Sequence, residues 1–178
     1  MDEVFLVSEN YVRSVTNIDD NVQSKYLQSA IREAQEVELQ EVLGTNLLNK
    51  VKGLIADRSI ELAVNAAYKD LVEQSQLFLA YQVITNVCVI AAVKISNGGL
   101  QVNYDENLNN VGLQDAFTLK DYYEKKADFF KSRLQAFIYE HRSDYPELSK
   151  NKCAEIQSTL YSAASTNLYL GGKRGKRS

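Results

Sequence analysis

The chain is predicted to be all-α: a helical bundle with long helices, plus a small β-strand or hairpin element and extended termini. Three observations predict it. Glycine occurs 8 times and proline once in 178 residues, a poverty that long helices tolerate and a many-turned β fold does not. Apolar residues make up 45% and charged residues 24%, ordinary values for a chain that folds around a core. Finally, apolar positions recur at helical spacing along most of the chain. The length suits one domain.

Ser8 precedes Glu9-Asn10-Tyr11-Val12-Arg13, a short capped helical turn, and Asp19 and Asp20 are candidate caps for the next helix. A long helical pattern begins near Val22. Leu27, Ala30, Ile31, Ala34, Val37, Val42 and Leu43 form its apolar face, with Glu33, Glu36, Glu38 and Glu41 on the wet side. Gly44 is placed for a left-handed C-terminal cap and Thr45 for the next N-cap. A shorter helix runs through Leu47, Leu48, Val51, Leu54 and Ile55, with Gly53 its weak point, and another stretch runs through Leu62, Ala66, Leu71 and Val72. Gln74-Ser75-Gln76 leads into the run 77–95, apolar nearly all round and so expected to be the central helix. Its Gln82, Thr85 and Asn86 share one stripe, which a lipid-facing helix would avoid, so no membrane is expected.

Ser96-Asn97-Gly98-Gly99 stops that run, and Leu100, Val102 and Tyr104 then alternate with polar residues like a half-buried strand. The strand candidate 99–104 has no obvious long partner in the chain. After an Asn-rich loop, a last long helix is expected from Gln114 or Asp115 to His141, carrying Phe117, Tyr122, Tyr123, Phe129, Phe130, Leu134, Phe137 and Ile138. Pro146 ends the pattern. Residues 149–164 suit one more helix through the spacing of Ile156, Leu160, Tyr161 and Ala164, and 166–172 read as extended.

Enzyme chemistry is not expected, and no catalytic, cofactor-binding or metal-ligating residue is assigned. His141 is the only histidine and falls at a helix end, where it suits the negative terminus. Glu33 with Glu36, and Glu38 with Glu41, have an i,i+3 spacing but lack the His partners of a di-iron bundle. Neither a phosphate-binding loop nor a nucleophile elbow occurs. Cys88 and Cys153 match no pairing or metal spacing and suit a reducing compartment such as bacterial cytoplasm. Met1-Asp2-Glu3 lacks the positive start of a signal peptide.

Function is expected in the chain's ends. Lys173, Arg174, Lys176 and Arg177 form a basic tip. Setting these four aside from the 20 basic residues leaves 16 against 23 acids, an acidic body of charge −7. Such a tip can neutralise phosphates without sequence preference, which makes a helical nucleic-acid-binding module one reading. Leu168, Tyr169 and Leu170 precede it with no helix to bury them. We take them as an arm that adds to the strand containing Leu100, Val102 and Tyr104, in its own or a neighbouring subunit. Val4, Phe5 and Leu6, beside Val7, are a second candidate docking arm.

The order of elements resembles the helical head–tail connector, or adaptor, proteins of tailed bacteriophages, most of all those of crAss-like and related phages of gut Bacteroidetes. The likeness lies in Ala34-Gln35-Glu36, the run Glu41-Val42-Leu43-Gly44-Thr45-Asn46-Leu47-Leu48-Asn49-Lys50, and Ala80-Tyr81. It continues through the stop Ile95-Ser96-Asn97-Gly98-Gly99-Leu100, the aromatic-rich helix ending at Tyr139, and the closing Asn167-Leu168-Tyr169-Leu170-Gly171-Gly172. It covers most of the chain as a pattern of helix lengths and stops. The resemblance implies a homo-oligomeric ring, commonly twelvefold, between the portal protein and the next tail or ring protein, around passing genomic DNA. It also implies residence in the virion after assembly in the bacterial host cytoplasm, with no catalytic residues and no cofactor. On this reading 1–165 is a helical connector domain, 150–164 within it an elaboration, and 166–178 an extended C-terminal arm with a basic tip.

Overall fold

The computed structural model describes residues 3–19, 21–96, 99–102, 113–148 and 156–160; at 91–96, 99–102 and 113 it describes the backbone alone. Helix α1, Glu9–Val15, starts where expected: the Ser8 hydroxyl accepts from the Tyr11 N–H at 3.2 Å. Helix α2, Ser24–Glu33, has no side-chain cap. Asp19 instead closes a local turn, accepting from the Asn21 N–H at 2.7 Å, and Arg13 donates to the carbonyls of Asp19 and Val22. Asp20 lies outside the described residues.

The long first helical pattern is not uniform. α2 runs into a π-helical turn, Ala34–Leu39, before returning to α-helix as α3, Gln40–Leu43. The wider turn shifts the phase of every later side chain. Val37, expected inside, is therefore 59% exposed, while Leu39 is fully buried. Glu38, expected on the wet side, is half-buried.

Gly44 separates α3 from α4, Thr45–Ala56, at φ 76° and ψ 159°. That is not the left-handed helical cap the sequence suggests but a region essentially restricted to glycine. A Cβ there would lie 2.8 Å from the Ser158 backbone nitrogen. Gly53 does not interrupt α4, and a Cβ at that position would meet nothing within 4 Å.

Two short 3-10 turns, Ser59–Glu61 and Ala63–Asn65, lead into α5, Ala66–Ala92. The helix starts well before the apolar run, because Gln74-Ser75-Gln76 is helical; the buried Ser75 hydroxyl donates to the Leu71 carbonyl at 2.7 Å. Leu71, Phe78, Leu79, Val83, Ile84 and Val87 are buried around much of its circumference, as an all-round apolar helix requires. α5 packs most extensively on α6, Leu113–Glu140, and next on α2. The Tyr81 and Phe130 rings stack at 5.1 Å.

The run 77–95 ends as helix at Ala92, and its last residues belong to β1, Val93–Ser96. β1 pairs antiparallel with β2, Gly99–Val102, in the register Val93↔Val102 to Ser96↔Gly99. The partner of 99–102 is thus the short segment 93–96, read in the sequence as the end of a helix. A single four-residue ladder is too short to form a layer, so the fold class is all-α.

Beyond α6, the turns Arg142–Asp144 and Pro146–Leu148 fold against the start of α5. Tyr145, 1% exposed, donates from its hydroxyl to the Ala67 carbonyl at 2.9 Å, and Tyr68 donates to Glu147 at 3.0 Å. Burial, then the Glu147 carboxylate, push the Tyr68 phenol up to about 12. Residues 156–158, expected within a further helix, are not helical. No helix of the described residues is long and apolar enough to cross a membrane.

Candidate interaction surfaces

The N-terminal arm does not offer a free apolar strand. Leu6 and Val7 are 4% and 2% exposed within the core of their own chain, and Phe5 packs against that core. Fully buried Gln35, on the π turn, clamps the arm as a peptide group would. Its carbonyl accepts from the Leu6 N–H at 2.9 Å and its NH2 donates to the Val4 carbonyl at 2.9 Å. Gln76 donates to the Leu6 carbonyl at 3.4 Å, and Arg32 pairs with Glu3. Leu6 is thus a core residue rather than a docking contact. The clamp has one sequence signal: Gln35 stands four residues after Ile31, on the apolar stripe, where an amide has no reason to be unless it has backbone to bond.

Leu100 and Val102 lie on β2. Tyr104, Leu168, Tyr169, Leu170 and the tail residues Lys173, Arg174, Lys176 and Arg177 lie outside the described residues.

A second clamp, without a signal in the local pattern, closes over the α3–α4 junction. The Thr45 N–H donates to the Ile156 carbonyl at 2.9 Å, and the Ile156 N–H donates to the Thr45 hydroxyl at 3.0 Å. Thr45 therefore bonds a distant strand of chain instead of capping its own helix. Buried Ser158 donates to the Val42 carbonyl, and Gln135 on α6 reaches Thr159 at 3.4 Å.

The carboxylates of the first helical stretch are dispersed. Glu36 pairs with Lys52, Glu41 with Lys131 at 2.9 Å, and Glu38 accepts from Gln82 at 3.3 Å. Burial, then the charge of Glu33, hold the Glu38 carboxyl above its ordinary range, against the opposing backbone hydrogen bond and the hydrogen bond from Gln82. The Glu38 Oε2 and Asn86 Nδ2 atoms are buried without hydrogen bonds. Among the described residues no three His, Cys, Asp or Glu side chains are grouped to hold a metal ion. His141, exposed just past α6, stacks on Phe137 at 4.4 Å, and its Nδ1 lies 3.0 Å from the Phe137 carbonyl oxygen.

Among the described residues two groups of exposed apolar side chains stand out. The first is the knuckle between α4 and α5, where Leu62 is 57% and Val64 84% exposed. Their backbone is fixed: Leu62 N–H donates to Ser59 at 3.1 Å, Asn65 N–H to Leu62 at 2.8 Å, and the Asn65 side chain to the Ser59 carbonyl at 2.8 Å. Arg58 takes a left-handed conformation, φ 56°, to make the turn, and Lys69 pairs with Glu61 at 2.6 Å. The second is the outer face of α6, with Tyr122, Phe129 and Tyr139 exposed by 53%, 65% and 71%.

Fold and surfaces together define an all-α domain whose exposed apolar groups sit on rigid, hydrogen-bonded backbone. The chain belongs to a family of unknown function, DUF6712, whose model matches residues 39–158. That span opens at the last residue of the π turn and closes at Ser158, so it takes in the junction clamp and leaves out the N-terminal arm. No curated protein and no solved structure is significantly similar to the chain.

Proposed function

We propose that the protein is a structural subunit of a head–tail connector ring, joining a phage portal to the tail around the DNA channel, and that it acts through surfaces rather than through catalysis. The observation that carries this reading is the knuckle. A turn locked by its own hydrogen bonds holds Leu62 and Val64 in water, and a rigid apolar projection of this kind serves a subunit that inserts into a neighbour. Head-to-tail contact between unlike patches forms a ring where its rotation closes, and an open filament where it does not. The resemblance in element order to connector proteins supports the same reading and names the portal and the next tail component as the other partners. The strand containing Leu100 and Val102 would take the arm holding Leu168, Tyr169 and Leu170, and DNA would pass without sequence-specific contact.

Negative-stain microscopy of the purified chain, alone and mixed with portal assemblies, tests the proposal. Rings, or portal particles bearing an added ring, are expected; a monomer indifferent to portal would overturn it. The alternative is a nucleic-acid-binding module using Lys173, Arg174, Lys176 and Arg177. It predicts retention of short duplex DNA at moderate salt, lost when 173–177 are deleted.

A further inference from the structure

From the charge order along α6 we infer that its outer face is a self-complementary seam on which a second copy of this chain docks, helix beside helix and parallel. Thr118, Tyr122, Lys125, Phe129, Ser132, Ala136 and Tyr139 are all exposed, and they alternate at spacings of four and three. That is the spacing of a helix-packing stripe, on the side of α6 opposite the buried Tyr123, Ala127, Leu134 and Ile138. Tyr122, Phe129 and Ala136 occupy one row of the stripe and are its apolar anchors. In the other row Thr118, Lys125 and Ser132 are polar and only Tyr139 is apolar, and Lys125 faces Lys125 of the second copy at a cost in stability, so the seam is a short, weak contact rather than a long zipper.

The flanks select both the occupant and its direction. Asp121 and Asp128 lie along one edge of the stripe; Lys126 and Arg133 lie along the other. In a parallel pair related by a twofold axis along the helices, each residue on the first edge faces the residue five positions later on the second copy. Asp121 then meets Lys126 of the second copy, Asp128 meets Arg133 of the second copy, and the same two contacts repeat on the other side. In an antiparallel pair, acid would face acid and base would face base. The Lys126 ammonium already lies 4.3 Å over the Tyr122 ring, so the basic edge is held against the aromatic row.

This contact uses the same patch on both copies and closes as a pair, whereas a ring needs unlike patches. It therefore stands or falls independently of the connector reading.

Sedimentation velocity of the full chain over a concentration series tests it. A dimer is expected at tens of micromolar. Asp128→Arg should weaken it tenfold or more, and adding Arg133→Asp should restore it, with thermal melting showing all three chains folded. Ser132→Cys should give a disulfide-linked dimer on mild oxidation, since Ser132 faces its own copy only when the helices are parallel. A chain monomeric throughout, a dimer indifferent to Asp128→Arg, or a Ser132→Cys chain that does not cross-link would overturn the seam. The same holds if deleting 161–178 creates the dimer, because the seam would then be covered by the chain's own end.

Discussion

Gln35 holds two backbone groups of a segment some thirty residues away in sequence, and its removal leaves both unsatisfied inside the fold. Gln35→Ala should cost about 3 kcal/mol, combining a small cavity with two orphaned groups. In a chain of this size that is a fall in Tm of roughly 6–12 °C, readable by calorimetry. Glu38 makes an opposite prediction. Burial raises its folded pKa above the unfolded value, so the folded state binds the proton more tightly and loses stability as pH rises through the acid range. Glu38→Gln should thus raise Tm at pH 7, with the gain shrinking as pH falls until Glu38 is itself protonated. A gain constant with pH would show that the carboxylate is not the source. Gly53, in the interior of α4 with open space around its Cα, is a plain helix-propensity position; Gly53→Ala should stabilise the fold by about 0.5–1 kcal/mol in denaturant titration.

At the scale of elements, the α3–α4 junction depends on residues more than a hundred positions later. Gly44 combines a backbone conformation that side chains resist with close contact to residues 156–158, so Gly44→Ala should destabilise by about 2–4 kcal/mol. Ser158→Ala should cost about 1–2 kcal/mol by leaving the Val42 carbonyl without its buried donor, and in the Gly44→Ala background it should cost less, because the two share one contact. Local pattern carries the helices themselves: α1 with its Ser8 cap, the burial of much of α5, and α6 to within a residue or two. It fails where a long-range contact overrides it. Val93-Lys94-Ile95-Ser96 reads equally as the end of an apolar helix or as a strand, and only the ladder to β2 decides. The pattern misplaces Val37 and Glu38 because a π turn leaves no mark in the apolar spacing before it. The clamping segment at Ile156 looks helical in isolation and is held otherwise by Thr45. Of the candidate surfaces, the aromatic content of α6 is visible in the sequence but not which rings face outward. The knuckle reads as part of a helix, since Leu62 and Ala66 have the right spacing for one.

For the whole molecule, the antiparallel packing of α5 and α6 sets where its surfaces lie. The Tyr145–Ala67 bond and the Tyr81–Phe130 stack bring the end of α6 to the start of α5 and its middle to the middle of α5. The knuckle at Leu62 and Val64 therefore projects at one end of the bundle, about 20 Å along α5 from the level of Phe130, at 1.5 Å per residue. Two separate surfaces on one rigid body can be tested separately. Leu62 and Val64 make little contact with their own domain, so Leu62→Asp with Val64→Asp should change unfolding free energy by no more than about 0.5 kcal/mol. It should also leave the α6 pairing untouched. What it should remove is association between unlike patches: rings, or chains bound to portal particles, would be lost at protein concentrations where the unaltered chain forms them. Asp128→Arg should do the reverse, dissolving pairs while rings persist. If the knuckle variant assembles as well as the unaltered chain, Leu62 and Val64 are not the ring contact, and the connector reading loses the observation that carries it.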